Sequence, residues 1–91
     1  MPHIVYVIYS ESFDRFYHGI TDDFKDRLNA HNSGKVKSTK AFAPWKLAYS
    51  ELFNDLPSAR KRELYFKTSS GRRFLAVIKE RSRVPRPPEQ L

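Results

Sequence analysis

The chain has 91 residues, with 17 Lys+Arg against 10 Asp+Glu and a net charge of +7. That length supports one small domain, and 40% hydrophobic with 14% aromatic residues supplies a modest core rather than a disordered tail. With no cysteine, disulfides, thiolate nucleophiles and cysteine-ligated zinc or iron–sulfur centres are excluded.

Ile4-Val5-Tyr6-Val7-Ile8-Tyr9 is β-branched and aromatic throughout, which predicts a strand covered on both faces. Ser10-Glu11-Ser12-Phe13-Asp14 supplies a turn, and Arg15 to Ile20 returns as the antiparallel partner. A four-residue loop from Ser10 to Phe13 sets Tyr9 opposite Asp14 and Tyr6 opposite Tyr17. Two phenols then share one face, their Cβ atoms roughly 5 Å apart. Thr21 is the predicted N-cap of a helix reaching about Asn32, with Asp22 and Asp23 at the positive end of its dipole and Gly34 as the stop. Phe24, Leu28 and His31 fall within about 60° on that helix, and Arg27 lies beside His31 at i,i+4 spacing. Residues 33–44 carry three lysines, small residues and a proline, the composition of an exposed, mobile loop able to lie along a phosphate backbone.

From Trp45 to Phe53 the pattern alternates, and Trp45, Leu47, Tyr49 and Phe53 are predicted on one face of a third strand. Asn54 or Asp55 caps a second helix, which accepts Pro57 in its first turn and runs to about Thr68. Ser69-Ser70-Gly71 breaks it, and a last helix from about Arg72 to Arg81 buries Phe74, Leu75 and Ile78. Residues 82–91 hold three prolines and little to bury, so they read as a flexible tail beyond a domain spanning 1–81. The expected class is α/β (α+β): a small three-stranded antiparallel sheet flanked by helices, in the order β-β-α-β-α-α.

One residue on the second helix breaks the pattern. Taking Leu56 as 0°, Ala59 falls at about 300°, Phe66 at about 280° and Glu63 at about 340°, inside the apolar stripe. A buried, unpaired carboxylate costs several kcal/mol, so Glu63 should meet a cation: Arg27, a lysine or a metal ion. Arg60, Lys61 and Arg62 adjoin it, the latter two expected to point to solvent.

Charge is divided unequally. Residues 1–33 hold three basic and five acidic side chains, net −2, whereas residues 34–91 hold 14 basic and five acidic ones, net +9. Such a field concentrates polyanions, of which nucleic acid is the commonest in a cell; a solvated surface that keeps the chain soluble is the alternative. The longest apolar runs fall far below the ~20 residues of a membrane helix. Met1-Pro2-His3 leads directly into the first strand without the pattern of a secretory signal. A soluble, cytoplasmic protein is the expectation.

The set Tyr6, Tyr17, Gly19, Arg27, His31 and Glu63 resembles the GIY-YIG nuclease superfamily, and in particular small stand-alone bacterial members related to the N-terminal domain of excinuclease C. Ile4-Val5-Tyr6 stands where the first motif has Gly-Ile-Tyr, and Tyr17-His18-Gly19 where the second has Tyr-Ile-Gly. Arg27 matches the arginine position, His31 a site that carries His or Tyr, and Glu63 the metal-binding glutamate. The resemblance covers residues 3 to about 80, and the order and spacing of its short motifs carry it. Three departures are visible: Ile4 replaces the first glycine, Ile20 stands where some members have a lysine, and no asparagine follows Asn54.

The resemblance implies a divalent-metal-dependent endonuclease hydrolysing DNA phosphodiesters, with a place in DNA repair or recombination. It implies that Glu63 holds Mg²⁺ or Mn²⁺, that Arg27 clamps the scissile phosphate, and that Tyr6 takes a proton from the attacking water. Tyr17 then positions water and phosphate, His31 orients the phenol or relays the proton, and Gly19 lets the chain turn into the helix beside the site. His3 and His18 receive no role, His18 facing away from Tyr17. Lys35, Lys37 and Lys40 are the first candidates for DNA contact, with Arg60, Arg62, Arg72 and Arg73 as helpers, and Lys25 or the 35–40 loop can stand in for the lysine missing at Ile20. A compact domain with few reading elements suits branched, damaged or single-stranded DNA better than a long sequence. Two other classes are a non-catalytic nucleic-acid-binding or accessory module that retains the fold, and a basic protein-interaction domain.

Overall fold

A computed structural model describes residues 2–83. It places β1 (His3–Ser10) at the centre of a three-stranded antiparallel sheet, between β2 (Arg15–Thr21) and β3 (Lys46–Phe53). With α1 (Phe24–Asn32), α2 (Leu56–Tyr65) and α3 (Ser69–Arg83), the element order is the predicted β-β-α-β-α-α. A strand flanked on both edges and covered on both faces has little place for unpartnered polar side chains, in keeping with the unbroken apolar and aromatic run from Ile4 to Tyr9. Its alternate residues feed two cores. Val5 and Val7 pack with Ala59, Phe66 and Leu75 from the α2–α3 side, while Tyr6 and Ile8 pack with Trp45, Phe24 and Leu28 from the α1 side.

The hairpin register differs from the expectation by two residues. The loop is Glu11 to Asp14, closed by the Ser10–Arg15 pair, so Tyr6 faces Gly19 and Tyr17 faces Ile8. Asp14 makes this possible by adopting a left-handed φ of 52°, which Asp tolerates better than most residues, and the Tyr9 hydroxyl donates to its carboxylate at 2.6 Å. A slip of two preserves the face. Tyr6 and Tyr17 are therefore diagonal neighbours with ring centroids 6.5 Å apart.

Other boundaries moved for local reasons. Thr21 ends β2, and Asp23, not Thr21, caps α1 by accepting from the Asp26 amide. A bulge in β3 sets Val7 against Tyr49 but Ile8 against Leu47. It leaves out Ala48 and breaks the expected alternation: Tyr49 and Phe53 join the α2–α3 core, Trp45 joins the α1 core, and Leu47 is 45% exposed. Asp55 caps α2, which ends at Tyr65 rather than Thr68. Ser69-Ser70-Gly71 does not break a helix but opens α3, because the Thr68 hydroxyl accepts from the Gly71 amide at 3.0 Å. Ser82 and Arg83 continue α3; the remainder of the predicted tail, 84–91, lies outside the described residues.

The segment 33–44 is an ordered arch, contrary to its composition. Asn32 grips the Trp45 backbone twice, accepting from its amide at 2.6 Å and donating to its carbonyl at 3.0 Å. The Trp45 indole donates to the Thr39 carbonyl at 3.0 Å, and Ser10 donates to the Phe42 carbonyl at 2.6 Å. A 3₁₀ turn over Lys40–Phe42 and a cis Ala43–Pro44 peptide complete the path. Among the described residues, no helix is long and apolar enough to cross a membrane.

Candidate active site

Four predicted residues converge on the α1 face of the sheet. Tyr6 lies across the strand pair from Gly19, and a Cβ on Gly19 would stand 2.8 Å from the Tyr6 hydroxyl. Glycine is needed there to admit the phenol, not to turn the chain: Gly19 lies within β2, with two strand residues after it. The i,i+4 spacing on α1 delivers the partners. His31 Nε2 is 2.9 Å from Tyr6 Oη, and the Arg27 Nε–H donates to the same oxygen at 3.4 Å. Tyr17 closes the group, its ring centroid 5.0 Å from that of His31.

Burial sets the charge states. Enclosure pushes the Tyr6 phenol above its ordinary value, against the opposing pull of the Arg27 hydrogen bond and charge. Burial, and then the Arg27 cation, hold His31 below the usual imidazole range. Near neutral pH the pair is thus a neutral phenol beside a neutral imidazole. The Tyr6 hydrogen bond in turn raises Arg27.

A stability consequence follows from the depressed His31. In the unfolded chain His31 takes up a proton near pH 6.5, whereas in the fold it resists. Below that pH the unfolded state binds more protons, so stability falls on acidification, with a slope of at most about 1.4 kcal/mol per pH unit from this residue. Urea midpoints should drop between pH 7.5 and 5.5, and His31→Gln should flatten the drop; a parallel pH dependence in that variant would remove His31 as the cause.

Glu63 arrives from the opposite face. Ala59 and Phe66 beside it are buried, as the stripe requires. Its partner among the described residues is neither Arg27 nor a lysine but His18, whose Nδ1 lies 2.6 Å from Glu63 Oε2. His18 faces away from Tyr17 as expected, and that orientation brings it onto Glu63, a contact the sequence reading did not anticipate. The pair reaches the Tyr6 group through β2. An open cleft of about 530 Å³ is lined by Tyr17, His18 and Gly19 on one wall and by Arg60, Glu63 and Leu64 on the other. The second Glu63 oxygen accepts no hydrogen bond within the described residues, and no group of three or more His, Asp or Glu side chains gathers there.

Thr39 is the other residue that sequence reasoning missed. Its side chain is buried in the arch, with Oγ1 2.7 Å from His31 Nδ1.

The nominated cations divide into two sorts. Lys35, Lys37, Lys40, Arg60, Arg72 and Arg73 are exposed, Arg60 beside Glu63 in the cleft. Arg62 does not point to solvent: it is half-buried, donates to Glu51 at 3.0 Å and stacks 4.5 Å over Tyr65 and 5.5 Å over Phe66 and Phe74. It cements α2 to α3 and β3. A second cleft, about 390 Å³, lies over this Arg62–Glu51 pair and gathers none of the Tyr6 group.

Comparison with known proteins identifies the family. The profile of the GIY-YIG catalytic domain matches residues 2–75. A UPF0213 protein of Streptococcus agalactiae is 42% identical over 81 residues, covering 88% of this chain and 91% of the relative. One from Staphylococcus haemolyticus is 36% identical over 80 residues, covering 87% and 96%. The solution NMR structure of a UPF0213 protein from Bacillus halodurans superposes with a TM-score of 0.52 at 28% identity, covering 87% of this chain and 86% of the other. With that profile matching residues 2–75 and relatives of this identity and coverage, the chain belongs to the GIY-YIG catalytic domain family of nucleases.

Proposed function

We propose that the protein is a divalent-metal-dependent endonuclease that hydrolyses DNA phosphodiester bonds, on branched, damaged or single-stranded DNA in repair or recombination. The observation that carries this reading is the packing of a neutral phenol, a neutral imidazole and a guanidinium around one oxygen, next to a cleft whose far wall carries a carboxylate.

The residues fit a hard divalent ion. Glu63 keeps one oxygen unengaged by the described residues at the cleft, and Mg²⁺ or Mn²⁺ accepts one or two carboxylates, with waters and substrate oxygens filling the remaining positions. When bound, such an ion polarises a phosphate oxygen and offsets charge on the leaving oxygen. His18 holds the carboxylate in place through its other oxygen. Arg27, with four further N–H donors beyond the one given to Tyr6, meets the non-bridging phosphate oxygens and stabilises the charge that grows on them in the transition state.

Proton transfer falls to Tyr6 and His31. As the water oxygen forms its bond to phosphorus and the phosphorus–oxygen bond to the leaving group breaks, Tyr6 Oη takes a proton from the water and gives its own to His31 Nε2. Burial and Arg27 disfavour the imidazolium, so the transferred proton is readily given back along the same Tyr6 hydrogen bond. Tyr17 borders both the Tyr6 group and the cleft and is placed to orient the water. The exposed Lys35, Lys37 and Lys40 of the arch are assigned to the flanking strand's phosphates, with Arg60 in the cleft itself.

Supercoiled plasmid with Mg²⁺ or Mn²⁺ tests the reading. The protein should nick it, EDTA should stop the reaction, and Tyr6→Phe should slow it about 100-fold while leaving DNA binding intact. Binding without cleavage in either metal would assign the accessory-module alternative instead.

A further inference from the structure

We infer that Thr39 is a positioning residue that fixes the tautomer of His31, so that Nε2 presents its lone pair to the Tyr6 hydroxyl. The inference rests on the proton path proposed above.

The assignment comes from matching donors to acceptors around two buried side chains. Tyr6 is 1% exposed and His31 is fully buried, so neither can rely on bulk water. Tyr6 Oη receives the Arg27 Nε–H, and its own proton has one described acceptor within reach, His31 Nε2 at 2.9 Å. If Nε2 accepts, the ring proton of neutral His31 lies on Nδ1. Nδ1–H then donates to Thr39 Oγ1 at 2.7 Å, and the Thr39 hydroxyl donates onward to the Val36 carbonyl at 3.3 Å. Every donor finds an acceptor. In the opposite tautomer Thr39 donates to Nδ1 and Nε2–H donates to Tyr6 Oη, which already receives Arg27; the buried Tyr6 proton is then left without a described acceptor, an arrangement native interiors avoid.

Thr39 is suited to hold this state because it is held itself. Its carbonyl accepts the Trp45 indole N–H, and Trp45 is gripped at its backbone by Asn32 of α1, the helix that carries His31. The same arch bears Lys35, Lys37 and Lys40. Thr39 stands to His31 as the orienting group of a catalytic triad stands to its histidine: it does not touch substrate, but it decides which nitrogen is free to take a proton and keeps the imidazolium hydrogen-bonded once formed.

The experiment is a pair of readouts on the full chain. Long-range ¹⁵N–¹H spectra of the metal-free, DNA-free protein should show His31 with a protonated Nδ1 and an unprotonated Nε2. Thr39→Val should move the ring to Nε2–H or to a mixture while the remaining amide spectrum is retained, and Thr39→Ser should restore the Nδ1–H form. In plasmid nicking, Thr39→Val should lower kcat about tenfold with KM for DNA unchanged within about twofold, and Thr39→Ser should recover most of it. Wild-type protein with Nε2 protonated, or a folded Thr39→Val with the tautomer unaltered, overturns the inference. Should Thr39→Val fail to fold, the wild-type and Thr39→Ser tautomers still decide. The expected tautomers without cleavage by any variant would uphold the role of Thr39 and remove the nuclease reading.

Discussion

Glu63→Gln should lower DNA cleavage by about 1,000-fold or more, equivalent to about 4 kcal/mol of transition-state stabilisation, while the thermal midpoint moves by only a few degrees. The two halves of this expectation have separate causes. Gln occupies the same volume between the buried Ala59 and Phe66 and can still accept from His18 through its amide oxygen, so the α2–β2 contact of 2.6 Å survives as a neutral hydrogen bond. What disappears is the negative charge at the cleft, and a neutral amide is a poor ligand for a hard divalent ion. Manganese titrations by electron paramagnetic resonance should accordingly show weakened binding in the variant without DNA present, and gel-shift affinity for DNA in EDTA should be retained. Full nicking activity in Glu63→Gln would remove the carboxylate from the chemistry, and a large fall in thermal midpoint would show that its charge serves the fold instead.

How much of this was legible before the coordinates depends on the distance over which each signal acts. Tyr6 sits in an unbroken apolar run, Arg27 and His31 repeat at helical spacing, and Glu63 stands out against an apolar stripe; each is a local pattern, and each was readable. The partner of Glu63 lies 45 residues away in sequence. Alternation does put His18 on the face opposite Tyr17, but only the packing of α2 against β2 converts that into a contact. The arch was misread because small polar residues and lysines look alike whether they are solvated or pinned. Thr39, Asn32 and Ser10 order it through bonds to backbone atoms of distant residues, which composition does not encode. The register slipped because a single left-handed residue, Asp14, moved the loop by one position. The phenol pairing survived because a two-residue slip keeps side-chain parity, so the candidate site proved sturdier than the register used to derive it.

Gly71→Ala should destabilise the fold by about 3 kcal/mol or more, a shift of roughly 12–24 °C in thermal midpoint for a domain of this size. Gly71 is buried in the first turn of α3, and a Cβ built there would stand 2.0 Å from the Tyr65 carbonyl oxygen and 2.7 Å from the Phe66 Cα. Both obstacles are backbone, at the point where α2 ends, so no side-chain rotation relieves the clash; the two helices must separate. Helix propensity favours Ala over Gly by up to about 1 kcal/mol, which the overlap exceeds. Separation would also loosen Phe66, which packs 5.6 Å from His18 and 6.1 Å from Phe74, and through it the last turn of α2 that presents Glu63. Cleavage measured well below the lowered midpoint should therefore fall in the variant as well, whereas the Tyr6–His31 hydrogen bond on the far face of the sheet should persist in its ¹⁵N spectrum. A variant as stable as the parent would mean that the α2–α3 corner is wider than the structure places it, and that Gly71 sits there without steric necessity.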